Sequence, residues 1–202
     1  MLFKYFENPE VITGLRKNKT QCDTCKKEKF CFDAEAYYGG SNLSSVCPEC
    51  LANGELYDLN VFTCEGDAEE LKRQLKITEP ALTGSQIEEL AGQKTKELEK
   101  TTPKIISWQD WSWPCADGDY CRFIGYGSRP FYNRLAPDGN GKRIFADSFY
   151  YSVKDVSDEG LWDELLPDEE VKDYEDSSSY SVLFYVFKSL NSDKIITIWD
   201  CD

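Results

Sequence analysis

An α+β fold is predicted, an N-terminal zinc ribbon followed by an aromatic-rich α+β part that ends in a β-hairpin. Three features predict it. Two Cys-x-x-Cys motifs, Cys22-Asp-Thr-Cys25 and Cys47-Pro-Glu-Cys50, stand 21 residues apart near the start of the chain. A charged, helix-forming stretch follows from Asp67 to Lys100. Beyond Pro103 the chain is dense in aromatic residues, which pack well on a pleated sheet.

The three stretches define residues 1–66, 67–102 and 103–202 as ribbon lobe, helical connector and aromatic lobe. Residues 1–20 read as an extended lead-in punctuated by Pro9 and Gly14. Short strands and knuckles fit residues 21–64, where Gly39-Gly40 marks a turn. In the connector, Ala68–Leu75 has the spacing of a short amphipathic helix. Ser85-Gln-Ile-Glu88 has the pattern of a capping box opening a second helix toward Lys100. Its apolar positions, Ile87, Leu90, Ala91 and Leu98, are few, which suits a helix that covers a core made elsewhere.

After Pro103, Trp108, Trp111, Trp113, Phe123, Tyr126, Phe131 and Tyr132 suggest short strands, and Phe145, Phe149, Tyr150 and Tyr151 suggest another over Ile144–Val153. Gly160–Leu166 reads as a short helix stopped by Pro167. The end reads as a hairpin: Ser181–Ser189, a turn at Asn191-Ser192-Asp193, then Lys194–Asp200.

Zinc takes four tetrahedral soft ligands, and each Cys-x-x-Cys turn offers two thiolates to one ion, so Cys22, Cys25, Cys47 and Cys50 are the candidate ligands. A disulfide pair or redox dithiols are the competing readings. Neither accounts for two knuckles at ribbon spacing, and no thioredoxin-like βαβ pattern surrounds them. Four thiolates leave no position open for water or substrate, so one structural Zn²⁺ is expected. Cys31, between Phe30 and Phe32, reads as a buried apolar cysteine; Cys115 and Cys121 read the same way, with ligation of a second metal as the competing reading.

The chain has 202 residues, 37 acids against 23 bases, a net charge of −14 and no histidine. Without histidine there is no Ser–His or Cys–His pair and no common general base, and no phosphate-binding glycine loop is present. With this many acids a carboxylate pair is expected by chance, so a non-enzymatic role is predicted. The N-terminus lacks an export-type apolar segment, and the longest apolar run is Val182–Phe187, well short of the roughly 20 residues that span a bilayer. Nine cysteines, an odd number, fit a reducing cytoplasm with no membrane association.

Two regions depart from the average charge. Eleven acids and one base lie between Asp155 and Asp176. Apolar residues interleave with them, so Trp162, Asp163, Glu164, Asp168, Glu169, Glu170, Asp173, Tyr174, Glu175 and Asp176 form a candidate surface for a basic protein partner. A solvated loop and helix face is the competing reading. The ribbon has the opposite sign: Arg16, Lys17, Lys19, Lys26, Lys27 and Lys29 outnumber Asp23 and Glu28. Contact with nucleic acid through these knuckles is the alternative function, opposed by long-range repulsion from the rest of the chain.

Phe3-Lys-Tyr5, Asn8-Pro9, Thr13-Gly14, the two knuckles, Tyr37-Tyr38, Leu51-Ala-Asn-Gly54 and Phe62 resemble the N-terminal half of the CbrC-like family of bacterial proteins. Trp108, Trp113, Cys115, Cys121, Phe123 and Gly125, and then Tyr185-Val-Phe187 with Trp199-Asp200, continue the resemblance. Family members commonly carry Cys-x-x-Cys in the terminal hairpin, where this chain has Ser189-Leu-Asn-Ser192. Serine does not replace thiolate on zinc, so a hairpin metal site is not expected here. The resemblance implies a link to colicin tolerance. Together with the acidic charge it gives the expected function: a toxin immunity or tolerance factor neutralising a basic antibacterial toxin domain.

Overall fold

The computed structural model describes residues 3–9, 14–40, 42–151, 160–172 and 180–201. It is a mixed α+β fold arranged about a central antiparallel sheet in the order β10-β9-β8, formed by β8 (Arg122–Tyr126), β9 (Val182–Lys188) and β10 (Ile195–Cys201). The hairpin expected at the end of the chain is present, with Ile198 opposite Tyr185 and Ile195 opposite Lys188.

Strand β9 explains the architecture. Val182–Phe187 is buried throughout, yet successive side chains of a strand must point to opposite faces. Leu183, Tyr185 and Phe187 enter one core and Val182, Phe184 and Val186 another. A sheet covered on both faces reads as a continuous apolar run, which is how this strand appears in the sequence. The first face carries interlocking rings: Phe187 lies 5.3 Å from Phe123 and 5.2 Å from Trp113, and Phe6 lies 5.0 Å from Phe123. Residues 3–7 reach this sheet, with Phe6 bridged to Phe123 in parallel. Tyr5 is fixed by hydrogen bonds from its hydroxyl to Glu97 at 3.0 Å and Asp119 at 3.2 Å.

The second face is covered by helices. Ser128 caps α4 (Arg129–Leu135), and α5 (Lys142–Asp147) follows. The strand expected over Ile144–Val153 is therefore corrected: Ile144–Asp147 is helical, Phe149 makes one bridge to Thr197, and residues 152 and 153 lie outside the described set. The reason is tertiary. Phe145 is needed beneath β9, 5.4 Å from Phe184, and Asn133 receives the Gly141 N–H that leads into the helix. Phe131 and Tyr132, also read as strand residues, belong to α4. Gly160–Leu166 forms a single π-helical turn over Leu161–Leu165, after which comes Pro167.

The N-terminal part holds a three-stranded sheet, β1 (Leu15–Gln21), β2 (Glu28–Asp33) and β4 (Ser45–Val46), the two-stranded pair β3 (Tyr38–Gly39) and β5 (Val61–Phe62), and the short helix α1 (Pro48–Ala52). Helices α2 (Ala68–Thr78) and α3 (Gly84–Thr101) pack on each other through Leu71, Leu75, Ile87 and Ala91. α3 touches α1, β5 and β7 (Asp119–Tyr120), and α2 touches β6 (Cys115–Ala116). One buried cluster runs from Phe3 through the cysteine-bearing sheet to Ile198.

The cap of α3 is Thr83, not Ser85. The Gln86 N–H donates to Thr83 Oγ1 at 3.4 Å, and the Thr83 N–H donates back to Gln86 Oε1 at 2.9 Å. Both Thr83–Gln86 and Ser85–Glu88 fit the box pattern, and the upstream one extends the helix by a further two residues. Thr83→Ala is expected to cost about 1 kcal/mol in a denaturant melt, whereas Ser85→Ala should stay within about 0.5 kcal/mol.

Candidate metal centre

The first knuckle is a tight turn. Lys26 N–H donates to Cys22 O at 2.8 Å and Cys22 N–H to Lys27 O at 2.9 Å, with Lys26 at φ +60°, a left-handed conformation in which glycine is the usual residue. The second knuckle is a helix start. Cys47 is the N-cap of α1, Pro48 supplies a residue already suited to the first helical position, and Leu51 N–H closes on Cys47 O at 3.1 Å.

Asp23 joins the two. Its Oδ2 accepts from the N–H groups of Ser44 at 2.7 Å and Ser45 at 2.9 Å and from the Ser44 hydroxyl at 3.2 Å. Those backbone bonds, Ser45 foremost, hold its carboxyl below the usual range. Because Ser45 lies in the strand leading directly to Cys47, Asp23 sets the second knuckle against the first. The Cys47 N–H also points at Cys22 Sγ, 3.3 Å away.

The result brings all four expected ligands together: the sulfurs of Cys22, Cys25, Cys47 and Cys50 lie within 4.8 Å of one another, and Cys25 and Cys47 are 3.9 Å apart. An ideal zinc tetrahedron with Zn–S of roughly 2.3 Å requires sulfurs about 3.8 Å apart. Four cysteine sulfurs this close are able to bind one metal ion. Burial raises Cys22, but N–H groups of Cys25, Cys47 and Thr24 outweigh it and bring the thiol down to about 6. Burial pushes Cys47 up to about 11 and raises Cys50 as well. A cation is what would let all four ionise together. Lys29 adds positive charge at the edge: it pairs with Glu49 at 3.1 Å, and Glu49, followed by the thiols of Cys47 and Cys25, raises its pKa.

Cys31 is buried with its thiol directed at backbone oxygens of Lys29 and Thr20. Cys115 contacts the Tyr150 hydroxyl at 3.4 Å, and Cys121 is fully buried. Where the resemblance has a second Cys-x-x-Cys, Ser189 and Ser192 both donate to Asp117 Oδ2, at 2.7 and 2.6 Å, and Asn191 Nδ2 donates to Asp117 O at 3.0 Å. The terminal hairpin thus grips the β6–β7 turn, whose Asp117 and Gly118 have φ of +55° and +79°.

Of the proposed partner surface, Trp162 is corrected to a core position. It is 8% exposed and packs 5.5 Å from Phe145 and 6.3 Å from Tyr132. The π turn points Leu161 and Trp162 inward together, an arrangement that interleaving of acids and apolar residues did not reveal. Asp163 pairs with Lys142 at 3.1 Å, Asp168 with Arg129 and Glu170 with Arg134. Glu164 and Glu169 are exposed. Asp173, Tyr174, Glu175 and Asp176 lie outside the described residues. In the sequence Asp23 and Lys29 count only as ribbon charges, and neither their roles beside the cysteines nor the Asp117 clamp is visible there, although an acid inside the first Cys-x-x-Cys was the available sign of Asp23.

Fold and site together define a mixed α+β protein with four clustered cysteines that could hold one metal ion. Residues 1–201 match the uncharacterised protein family UPF0167. The chain belongs to that family, which is the CbrC family indicated by the resemblance. No solved structure matches the chain.

Two expectations follow. Trp162→Ala should lower stability by about 3–5 kcal/mol, the usual cost of truncating a buried tryptophan, as read by chemical denaturation. Hydroxyls of Ser192 and Ser189 hold Asp117 below the ordinary carboxylate range. A carboxyl depressed on folding contributes stability above its unfolded value of about 3.9 and loses it as pH falls through the folded value. Asp117→Asn should therefore lose less stability than wild type between about pH 5 and pH 2 in thermal melts.

Proposed function

We propose that this chain is a non-catalytic protein-binding factor built on one structural zinc, and that it neutralises a basic antibacterial toxin domain as an immunity or tolerance factor. The net charge of −14 is the observation that carries this reading. A toxin that cuts nucleic acid must attract phosphates and is therefore basic, so an acidic protein is drawn to the same cleft. The closed cluster of four cysteines supports the structural role of the metal, since tetrahedral thiolate coordination leaves no site for substrate. The odd number of cysteines suits a reducing cytoplasm. No described helix is long and apolar enough to cross a membrane.

The buried position of Trp162 removes the obvious aromatic anchor, and internal bases offset Asp163, Asp168 and Glu170. Attraction then rests on the field of the whole chain and on exposed acids such as Glu164 and Glu169. Capture from the native host, with genomic neighbours inspected for a toxin gene, supplies the partner. Reversing Glu164 and Glu169 to lysine should slow association and flatten its salt dependence, with a smaller change in dissociation, by stopped-flow kinetics. An association rate equal to wild type at low salt contradicts the acidic-decoy reading.

One observation favours the alternative, a zinc-ribbon adaptor contacting nucleic acid. Phe30 is 47% exposed on β2, and Lys19 Nζ lies 5.7 Å above its ring on the facing strand. An aromatic platform among lysines is a known way to hold single strands. Low-salt binding of single-stranded DNA that disappears in Lys26/Lys27→Glu and weakens in Phe30→Ala would promote this reading; no binding would remove it.

A further inference from the structure

Between the cysteine-bearing sheet and residues 104–110 lies a cleft of about 670 Å³, within the range of roughly 300–1,000 Å³ typical of small-molecule sites. Leu15 and Phe32 form the wall on the sheet side, Tyr37 and Tyr38 follow, and Ile106 faces them. The Tyr38 ring is backed by Phe62, with centroids 5.3 Å apart and planes only 21° from parallel. The opposite wall is held from behind by the central sheet: buried Asp200 accepts the Trp108 N–H at 3.1 Å and the Tyr185 hydroxyl at 3.0 Å.

The charge in this cleft runs against that of the chain. Arg16, Lys17 and Lys104 border it, against Asp33 and Asp110. Asp33 is engaged by Arg16 at 3.2 Å, and Asp110 lies on the Lys104 side of the cleft. The Lys104 ammonium sits 3.7 Å from the Tyr38 ring centroid and donates to Ala36 O at 2.6 Å, which leaves N–H capacity for another acceptor. Burial pulls its pKa down, with Asp110 opposing, a strain that a bound anion would relieve.

We propose that this cleft is a binding site for a planar aromatic acid, its ring against Leu15, Phe32 and Ile106 and its carboxylate on Lys104. The apolar walls match the flat ring, Lys104 supplies the charge-assisted hydrogen bond, and Tyr38 holds the ammonium in place from beneath. The site is independent of any toxin or nucleic-acid partner.

Calorimetric titration of the zinc-loaded full chain tests it, using 2-naphthoate as probe beside neutral 2-naphthamide and cationic 2-naphthylmethylammonium. One naphthoate should bind per chain, about tenfold or more tighter than either comparison compound, as a hydrogen bond to a charged group implies. Ile106→Trp, which fills the cleft from a partly exposed position, and Lys104→Met should each weaken naphthoate about tenfold with the melting temperature unchanged. Two variants guard against a folding defect in one. Absence of naphthoate binding, equal affinity for the three probes, or full affinity in both variants overturns the assignment.

Discussion

Four cysteine sulfurs held within 4.8 Å of one another impose a choice on the polypeptide. As thiols they satisfy little of each other's bonding capacity, and as thiolates they repel. A soft divalent cation resolves the conflict, and binding free energy then becomes folding free energy. The local backbone is organised for this. One knuckle uses a left-handed Lys26, the other the N-terminus of α1, and Asp23 ties them through the N–H groups of Ser44 and Ser45. A three-stranded sheet with a five-residue helix buries too little to stand alone, but its Phe32, Val46 and Leu51 continue into the core that Phe123, Tyr185 and Phe187 build on the central sheet.

The central sheet is the second organising element, because β9 is covered on both faces. Its odd-numbered positions knit the cysteine-bearing sheet and the α2–α3 pair to the middle of the molecule, and its even-numbered positions are sealed by α4, α5 and the π turn. Trp162 belongs to that seal. Asp163, Asp168 and Glu170 next to it are paired with Lys142, Arg129 and Arg134. Glu164 and Glu169 beside them are exposed.

What could be read from the sequence was what depends on short-range pattern. Cys-x-x-Cys spacing located all four sulfurs that converge, the apolar run Val182–Phe187 with the turn at Asn191-Ser192-Asp193 located the hairpin, and helix periodicity located α2 and α3. What could not be read depends on contacts between distant residues. Ile144–Asp147 looks like strand by composition, yet Phe145 is required beneath Phe184 and the segment is helical. Overlapping capping patterns made Ser85 as good a candidate as Thr83. Ser189 and Ser192 read as lost thiolates, and only the approach of the β6–β7 turn shows them binding Asp117.

The dependence of the N-terminal sheet on a metal is open to direct measurement. Elemental analysis of the purified chain, followed by chelator titration under circular dichroism, reads content and consequence in one experiment. About one zinc per chain is expected for a closed four-thiolate site, and its removal should unfold the cysteine-bearing sheet, with Cys50→Ser reproducing the loss. A chain that is metal-free as purified and keeps its full spectrum in chelator, or a Cys50→Ser protein that folds unaltered, would contradict a fold held by the four cysteines and their ion.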